Sequence, residues 1–210
     1  DPKVREAMSN PYSLNPGGER RGPDQADDEA PVYDEEFQQW SSTFVMAAIN
    51  TRVVRRSNAL AGYPYGKDFR YSERQLTGDG RSGKRKAAIA CRGNKYAPLM
   101  LGLAPLRMIA TRFLPAPGEG PSPEAQRRGH FELLFSGVNS KSSNSIKVRV
   151  SGDRDPGYGA TSRMLGEAAV CLARDPLQCG GGLWTPATAM GGHLIDRLQE
   201  SAGMAFQVLD

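Results

Sequence analysis

The sequence predicts an α+β fold, a mostly antiparallel sheet covered by helices, on three observations. Two apolar runs, His130 to Phe135 and Ile146 to Val150, flank a tip rich in Ser and Asn, as the arms of a β-hairpin do. In the second run Ile146, Val148 and Val150 alternate with Lys147 and Arg149, which gives the strand one face for a core and one for water. The other elements read as helices before and after this hairpin and one last strand, an order that suggests α+β packing.

Composition bounds what such a fold can hold. The 210 residues suffice for one core, or one domain with an extension, and one folded unit is the default expectation. Hydrophobic residues make up 39%, below the roughly 45–50% of ordinary globular chains, and there are 24 glycines and 15 prolines, so much of the length is expected to be loop. Three cysteines, Cys91, Cys171 and Cys179, cannot all pair and lack metal-site spacing, which fits a reducing, intracellular setting. The opening Asp-Pro-Lys-Val-Arg-Glu has neither an initiator Met nor an apolar signal core, so the chain is expected to start inside a longer one.

Residues Pro11 to Pro31 are dense in Pro, Gly, Asn and charge, and read as a linker or a draped loop. Asp34 is then a candidate N-cap for a helix running to Leu60, with Phe37, Trp40, Phe44 and Ala48 at helical spacing. Gly62 and Pro64 break it, Tyr65, Phe69 and Tyr71 suit a short strand or an extended loop, and Gly78 to Lys86 reads as an exposed basic turn. Tyr96 to Leu114 is strongly apolar but interrupted by Pro98, Pro105, Arg107 and Arg112, too broken for a membrane span of about 20 residues and expected to be a buried or interfacial helix. Pro115 to Pro123 is a stiff connector. After the hairpin come a helix from Ala160 to Ala173, a glycine turn at Gly180 to Gly182, a helix from Gly191 to Ser201 and a strand from Met204 to Leu209.

Charge is unevenly placed along this order. Between Arg81 and Phe113 lie Arg81, Lys84, Arg85, Lys86, Arg92, Lys95, Arg107 and Arg112 with no acid, a block that either favours an anionic partner or is simply solvated. Asp24, Asp27, Asp28, Glu29, Asp34, Glu35 and Glu36 form an acidic counterweight that could face it. Nucleic-acid binding has only the basic block in its favour, without a zinc finger or the aromatic signature of an RNA-binding sheet, and is not expected.

Three constellations bear on chemistry. Gly78-Asp-Gly-Arg-Ser-Gly83 matches the dinucleotide pattern G-x-G-x-x-G, but polar residues precede it and no acid appears between Asp79 and Glu119, so it reads as a chance match. Asp155-Pro-Gly-Tyr-Gly-Ala-Thr161 joins a strand to a helix whose free N–H groups could hold an anion, or else the glycines only permit a tight reversal against which Tyr158 packs. Arg52, Arg55 and Arg56 fall on much the same helical face as Phe37, Phe44 and Ala48, so they either meet a carboxylate or phosphate or cap carbonyls and pair with the acidic segment. His130 and His193 have no metal-ligand spacing or nucleophile motif beside them and read as structural.

Four segments together resemble the saccharopine dehydrogenase-like oxidoreductases, a family that includes the trans-acting enoyl reductases. They are Asn10-Pro-Tyr-Ser-Leu-Asn-Pro16, Thr43 to Asn58 with its Asn50-Thr-Arg52 core, Gly152-Asp-Arg-Asp-Pro-Gly-Tyr-Gly159 and Gly181-Gly-Leu-Trp-Thr-Pro186. The resemblance runs over nearly the whole chain and implies the C-terminal part of a Rossmann-containing, NAD(P)-dependent enzyme of lipid or glycolipid metabolism, inactive alone. On that reading residues 1–33 are a linker or loop-rich segment, 34–190 a substrate-side domain, and 191–210 a helix and strand that pack on a missing N-terminal nucleotide-binding half. NAD or NADP would belong to the full-length enzyme, with no cofactor, metal or catalytic residue assigned to this chain. Arg52, Arg55, Arg56, Tyr65 and Tyr158 would line the site of a lipid-like or acyl substrate, and a homodimer is allowed.

The resemblance also gives Arg81 to Leu114 a second meaning, as an interfacial contact with a membrane or lipid-droplet surface; the prolines favour a core helix covering the sheet. The competing function is therefore a lipid- or membrane-surface-binding module without enzymatic activity, either cytoplasmic or peripheral on a membrane or droplet.

Overall fold

Asp34 does cap a turn, though not the expected one. Its Oδ1 accepts from the backbone N–H groups of Glu36 (3.0 Å) and Phe37 (3.1 Å), closing a four-residue loop between β1 (Val32–Asp34) and β2 (Gln39–Thr43). Across the strands Tyr33 stands opposite Trp40, their rings edge to face with centroids 5.5 Å apart, a cross-strand pair that favours the hairpin locally. The first half of the expected helix from Asp34 is thus a hairpin, and the helix itself runs over Ala47–Leu60. Phe37, Trp40 and Phe44 had the right spacing for a helix, but aromatics also suit strands, and the Tyr33–Trp40 pair decides between them.

The computed structural model describes residues 2, 9–19, 21–23, 29–110, 112, 119–139, 142, 144–177 and 179–209. It divides into two units, Asp1–Leu114 and Pro115–Asp210, a boundary inside the span expected to be one domain. Asp24, Asp27, Asp28, Phe113, Leu114, the start of the Pro115 to Pro123 connector and Ser140, Lys141 and Ser143 of the Ser/Asn-rich tip lie outside the described residues.

In the first unit β2 is the centre of an antiparallel sheet of order β1-β2-β3, with β3 at Arg74–Gly78. A long helix, Gly80–Gly102, packs on β2 and β3 through Gly83, Ala87 and Cys91, which are buried and lie on one helical face. The expected exposed turn at Gly78 to Lys86 is therefore a strand end and the opening of this helix. Gly78 (φ +99°) and Gly80 (φ +57°) supply backbone conformations that glycine favours, and a Cβ on Gly83 would lie 2.0 Å from the Gly78 carbonyl oxygen. Ser41 and Ser42 are both fully buried on β2, their side chains on opposite faces of the strand, and Arg74 Nε donates to Ser41 Oγ at 2.8 Å.

Beyond Cys91 the long helix keeps a polar contact with β2, Asn94 Nδ2 donating to the Thr43 carbonyl at 2.9 Å. Every described side chain from Arg92 to Met108 is exposed, including Tyr96, Leu99, Met100, Leu101, Leu103 and Met108, across the helix break at Leu103 and into the short helix Ala104–Ala110. The stretch expected to be a buried or interfacial helix over Tyr96 to Leu114 is helical in its described part, and its described side chains from Tyr96 to Met108 are exposed, which departs from the core-helix alternative. Lys95 pairs with Glu29 at 2.7 Å, so the basic and acidic stretches do meet at that point.

The second unit matches the sequence reading more closely. Strands β4 (Phe131–Val138) and β5 (Ser145–Gly152) form the expected hairpin, β4 starting one residue later but running further toward the tip and β5 longer at both ends, and β6 (Met204–Leu209) adds to β5 to give antiparallel order β4-β5-β6. Register puts Phe131, Leu133 and Phe135 beside Gly152, Val150 and Val148, and these beside Met204, Phe206 and Val208, an apolar face. Only its middle is well covered: Val150 is buried, whereas Leu133, Ile146 and Val208 are exposed. Ile146 thus departs from the expected buried alternation, because it sits at the far end of the hairpin.

The helix Pro123–Arg128 before β4 is set by Ser122, whose Oγ accepts from Ala125 N at 3.2 Å, with Pro123 in the first turn, a cap that contributes about 1 kcal/mol. Helices Gly159–Arg174 and Gly191–Ser201 pack on each other, and the short Pro186–Ala189 helix precedes the latter behind a Thr185/Thr188 capping box. Within this unit β6 is a sheet strand beside β5, and the Gly191–Ser201 helix packs beside Gly159–Arg174.

Candidate functional site

The buried stripe of the Ala47–Leu60 helix is Ala47, Thr51, Arg55 and Asn58, spaced i, i+4, i+8 and i+11, and it turns polar along its length. Sequence reasoning foresaw the arginines but not their partners. Arg52 Nε donates to the Asn10 carbonyl (3.1 Å), Arg55 Nη1 to that of Pro11 (3.4 Å), and Arg56 Nη1 to that of Leu14. The three guanidinium groups thus hold the segment Asn10 to Leu14 against the helix. A draped loop is what this part of the Pro-rich N-terminal region forms.

Arg55 is the central member. It is 5% exposed, donates a second bond from Nη2 to the Tyr71 carbonyl (3.0 Å), and lies 5.4 Å from the centre of the Tyr12 ring. Tyr12 is itself buried, and Gly22 passes over it so closely that a Cβ there would fall 2.2 Å from the ring. Asn58 orders the loop after the helix, accepting from Tyr65 N (3.2 Å) and donating to the Gly66 carbonyl (3.0 Å).

Between these groups lies a small polar pocket lined by Tyr12, Asn15, Arg55, Asn58, Tyr63 and Lys67, with Glu19 and Arg21 at its edge. Asn15 is 7% exposed, and its Oδ1 is buried without a hydrogen-bond partner among the described residues. Tyr63, at φ +63°, donates its hydroxyl to Glu19, which lies 3.6 Å from Lys67. That bond pushes the Tyr63 hydroxyl up to about 12 and lowers the Glu19 carboxyl. With Arg55, Lys67 and Arg21 set against one carboxylate, the pocket suits a small polar or anionic group that can also donate a proton to Asn15. Of the five sequence-predicted residues Arg55 lines it. Arg52 and Arg56 brace the segment behind it, and Tyr65 is exposed, its ring 5.1 Å from Phe69. Asn15 and Tyr63 were missed, since neither sits in a motif.

Tyr158, in the second unit, is exposed and stands beside Gly120. The anion expected at its turn is supplied by the chain itself: the Asp155 carboxylate accepts from the N–H groups of Gly157 (3.0 Å), Tyr158 (2.8 Å) and Gly159 (2.9 Å). The bonds from Gly159 and Tyr158 hold its carboxyl below the usual range. In the same unit Arg197 grips Asp175 and reaches Glu167 at 3.5 Å, beside the fully buried Cys171. His130 and His193 are both exposed, and no cluster of three metal-ligating side chains occurs among the described residues.

The G-x-G-x-x-G segment does join a strand to a helix, contrary to expectation, but the described residues around it do not fit a dinucleotide. Its strand belongs to an antiparallel sheet, no acid follows Asp79 before Glu119 to hold a ribose, and Lys84 lies over the Trp40 ring at 4.8 Å. The third glycine serves close helix–strand packing instead.

With this geometry in view, similarity to known proteins is informative. The chain is 37% identical over 228 residues to a Mycobacterium tuberculosis protein named as a trans-acting enoyl reductase, across 99% of this chain and 52% of the relative. Trans-acting enoyl reductases of Mycobacterium ulcerans (33% identity, 96% of this chain, 50% of theirs) and Mycobacterium bovis (34%, 94% and 50%) are similar over the same extent. The chain spans about half the length of the curated relatives it matches. These similarities support an enoyl reductase-like family and are consistent with part of an oxidoreductase. No family model matches the chain, and no solved structure does.

Proposed function

We propose that this chain is the substrate-side, C-terminal part of an NAD(P)-dependent oxidoreductase of the saccharopine dehydrogenase-like and enoyl reductase-like kind, acting on a lipid-like or acyl substrate. The observation that carries this reading is similarity along nearly the whole chain to about half of each enoyl reductase, in residues that do not fit a dinucleotide. The cofactor, NAD or NADP, would supply the hydride and be held by residues outside this chain. The pocket under Arg55 offers the contact for a polar or anionic end of the substrate, and the segment Asn10 to Leu14, braced by Arg52 and Arg56, forms its wall. Tyr65 and Tyr158 are exposed and available to a substrate from their respective units.

Fluorescence titration with NADPH and NADH tests the division of labour. The full-length protein is expected to bind one of them and to oxidise it in the presence of a 2-enoyl thioester, whereas this chain alone binds neither. Tight binding to the isolated chain would overturn the assignment of the cofactor elsewhere, and a full-length protein that binds neither would remove the oxidoreductase reading.

A further inference from the structure

Resting on the reading of the Arg55 pocket as an anion contact, we propose that the chain carries its own competitor for that contact: the Glu19 carboxylate stands where a ligand oxyanion, a carboxylate or a phosphate, would bind. The ligand enters when Glu19 swings out about Gly17 and Gly18. In the structure Glu19 accepts from the Tyr63 hydroxyl and lies 3.6 Å from Lys67 Nζ, which stands 5.1 Å from the centre of the Tyr63 ring. A hydroxyl and an ammonium converging on one carboxylate are the donors that a ligand oxyanion would itself require. Among the described residues lining the pocket Glu19 is the one acid, and Arg21, Arg55 and Lys67 are the cations, so its departure leaves positive charge for an incoming anion. Space makes the two exclusive. The cavity beside Glu19 holds about 40 Å³, enough for a water molecule or two at roughly 30 Å³ each. A carboxylate or phosphate with the first atoms of the molecule that carries it needs the place of the Glu19 side chain as well.

The backbone separates what is fixed from what can move. On the loop side, Tyr63 is held at φ +63°, a conformation few bulky residues adopt. Its N–H donates to the Asn58 carbonyl (2.8 Å), its carbonyl accepts from Gly66 N (2.9 Å), and the Asn58 side chain ties Tyr65 and Gly66 to the helix. On the other side, Asn10 to Leu14 is fastened by the three arginines. Gly17 (φ +66°) and Gly18 (φ +74°) lie between that fastened segment and Glu19, with nothing within 4 Å of where a Cβ would stand. Glycine backbone can change φ and ψ there without a clash, so Glu19 can leave while both walls of the pocket stay in place. The bonds it gives up lie at the surface, with 44% of the Glu19 side chain and 74% of that of Lys67 exposed. Surface ion pairs contribute little, so a ligand that also meets the inner cations can replace them.

Isothermal titration calorimetry of this chain with inorganic phosphate and with acetate, at constant ionic strength, tests the competition. Glu19→Gln keeps the shape of the side chain and removes its charge. It is expected to bind both anions about tenfold more tightly than the parent, because a site that is open only part of the time shows a proportionally weaker apparent affinity. Asp68→Asn removes an exposed acid that does not line the pocket, and should change either affinity by no more than about twofold. Lys67→Met in the Glu19→Gln background should lose the gain. In the parent, saturation with phosphate should shift the amide resonances of Gly17 and Gly18. All three substituted side chains are exposed, and unchanged circular dichroism would show that folding is intact. Equal affinity of Glu19→Gln and the parent overturns the proposal, and so does an equal gain in Asp68→Asn, which would reflect net charge alone. Binding indifferent to Lys67→Met, no binding of either anion to Glu19→Gln, or Gly17 and Gly18 resonances that stay put with the anion bound would overturn it as well. These titrations involve no nicotinamide cofactor, so their failure leaves the oxidoreductase reading standing, and a full-length protein that binds neither cofactor leaves the anion affinities as measured.

Discussion

Arg197 holds Asp175 with two parallel bonds, Nε to Oδ2 at 2.6 Å and Nη2 to Oδ1 at 2.7 Å, and so ties the Gly191–Ser201 helix to the end of Gly159–Arg174. The fork geometry of a guanidinium matches a carboxylate in a way that an ammonium cannot. Arg197 Nη1 also lies 3.5 Å from Glu167, one helix turn or more back along the same partner.

This pair sets an acid limit on stability. The Arg197 bond, helped by Cys171, holds the Asp175 carboxyl well below the usual carboxylate range. A depressed folded-state value means that the contribution is present above the unfolded value near 3.8 and is lost as pH falls below it. Asp175→Asn is expected to lower Tm by several degrees at pH 7 and to flatten the fall of Tm between neutral and strongly acidic pH. Thermal denaturation across that range measures both, and an unchanged acid limb would assign the stabilisation elsewhere.

At alkaline pH the sign reverses, through Tyr63. Its hydroxyl is pushed from 10.0 up to about 12, first by the bond to Glu19. The stabilisation is full below the unfolded value and is lost as pH rises through the folded one. Ultraviolet titration of phenolate should show two late-titrating tyrosines, Tyr63 and the buried Tyr71 beside Glu73, of which only Tyr63 returns toward the ordinary value in Glu19→Gln.

Two glycines of one helix should respond oppositely to alanine. Gly83→Ala drives a Cβ to 2.0 Å from the Gly78 carbonyl and is expected to cost about 1–3 kcal/mol or more, since helix and strand must separate. Gly93→Ala meets nothing within 4 Å on the exposed side and should stabilise by roughly 0.5–1 kcal/mol. Urea denaturation of the two variants makes the comparison.

Removing the Arg55 side chain should free the segment it holds. Arg55→Ala leaves the carbonyls of Pro11 and Tyr71 short of donors in a buried place, at a cost of about 1–3 kcal/mol. Hydrogen exchange and proteolysis are expected to accelerate between Asn10 and Asn15. Arg52→Ala, at a half-buried residue, should have a smaller effect. Equal protection in Arg55→Ala and the parent would show that the segment is held by Tyr12 and its surroundings instead.

What was legible in the sequence was mostly local. The β4–β5 hairpin, the helices at Gly159–Arg174 and Gly191–Ser201 and the strand Met204–Leu209 all carry alternation or helical spacing bounded by turn residues, and they formed close to where those signals stood. The first unit was read less well because small and polar residues direct its packing. Gly83, Ala87, Cys91, Ser41 and Ser42 leave little hydrophobic periodicity, while the large residues Phe37, Trp40 and Phe44 suggested a helix that does not form there.

For the candidate site, the residue types were visible and their assembly was not. Sequence alone determined that Arg52, Arg55 and Arg56 share a helical face, that the basic run from Arg81 contains no acid, and that the chain is similar in pattern to a family of oxidoreductases. Only the tertiary structure decided that those arginines bind carbonyls 42 to 44 residues away. It likewise decided that Asp155 fills its own helix N-terminus and that Ile89, Tyr96 and Met100 face outward. Helical spacing fixes which side chains travel together, whereas which face meets solvent depends on contacts between segments distant in sequence, and those are set by packing.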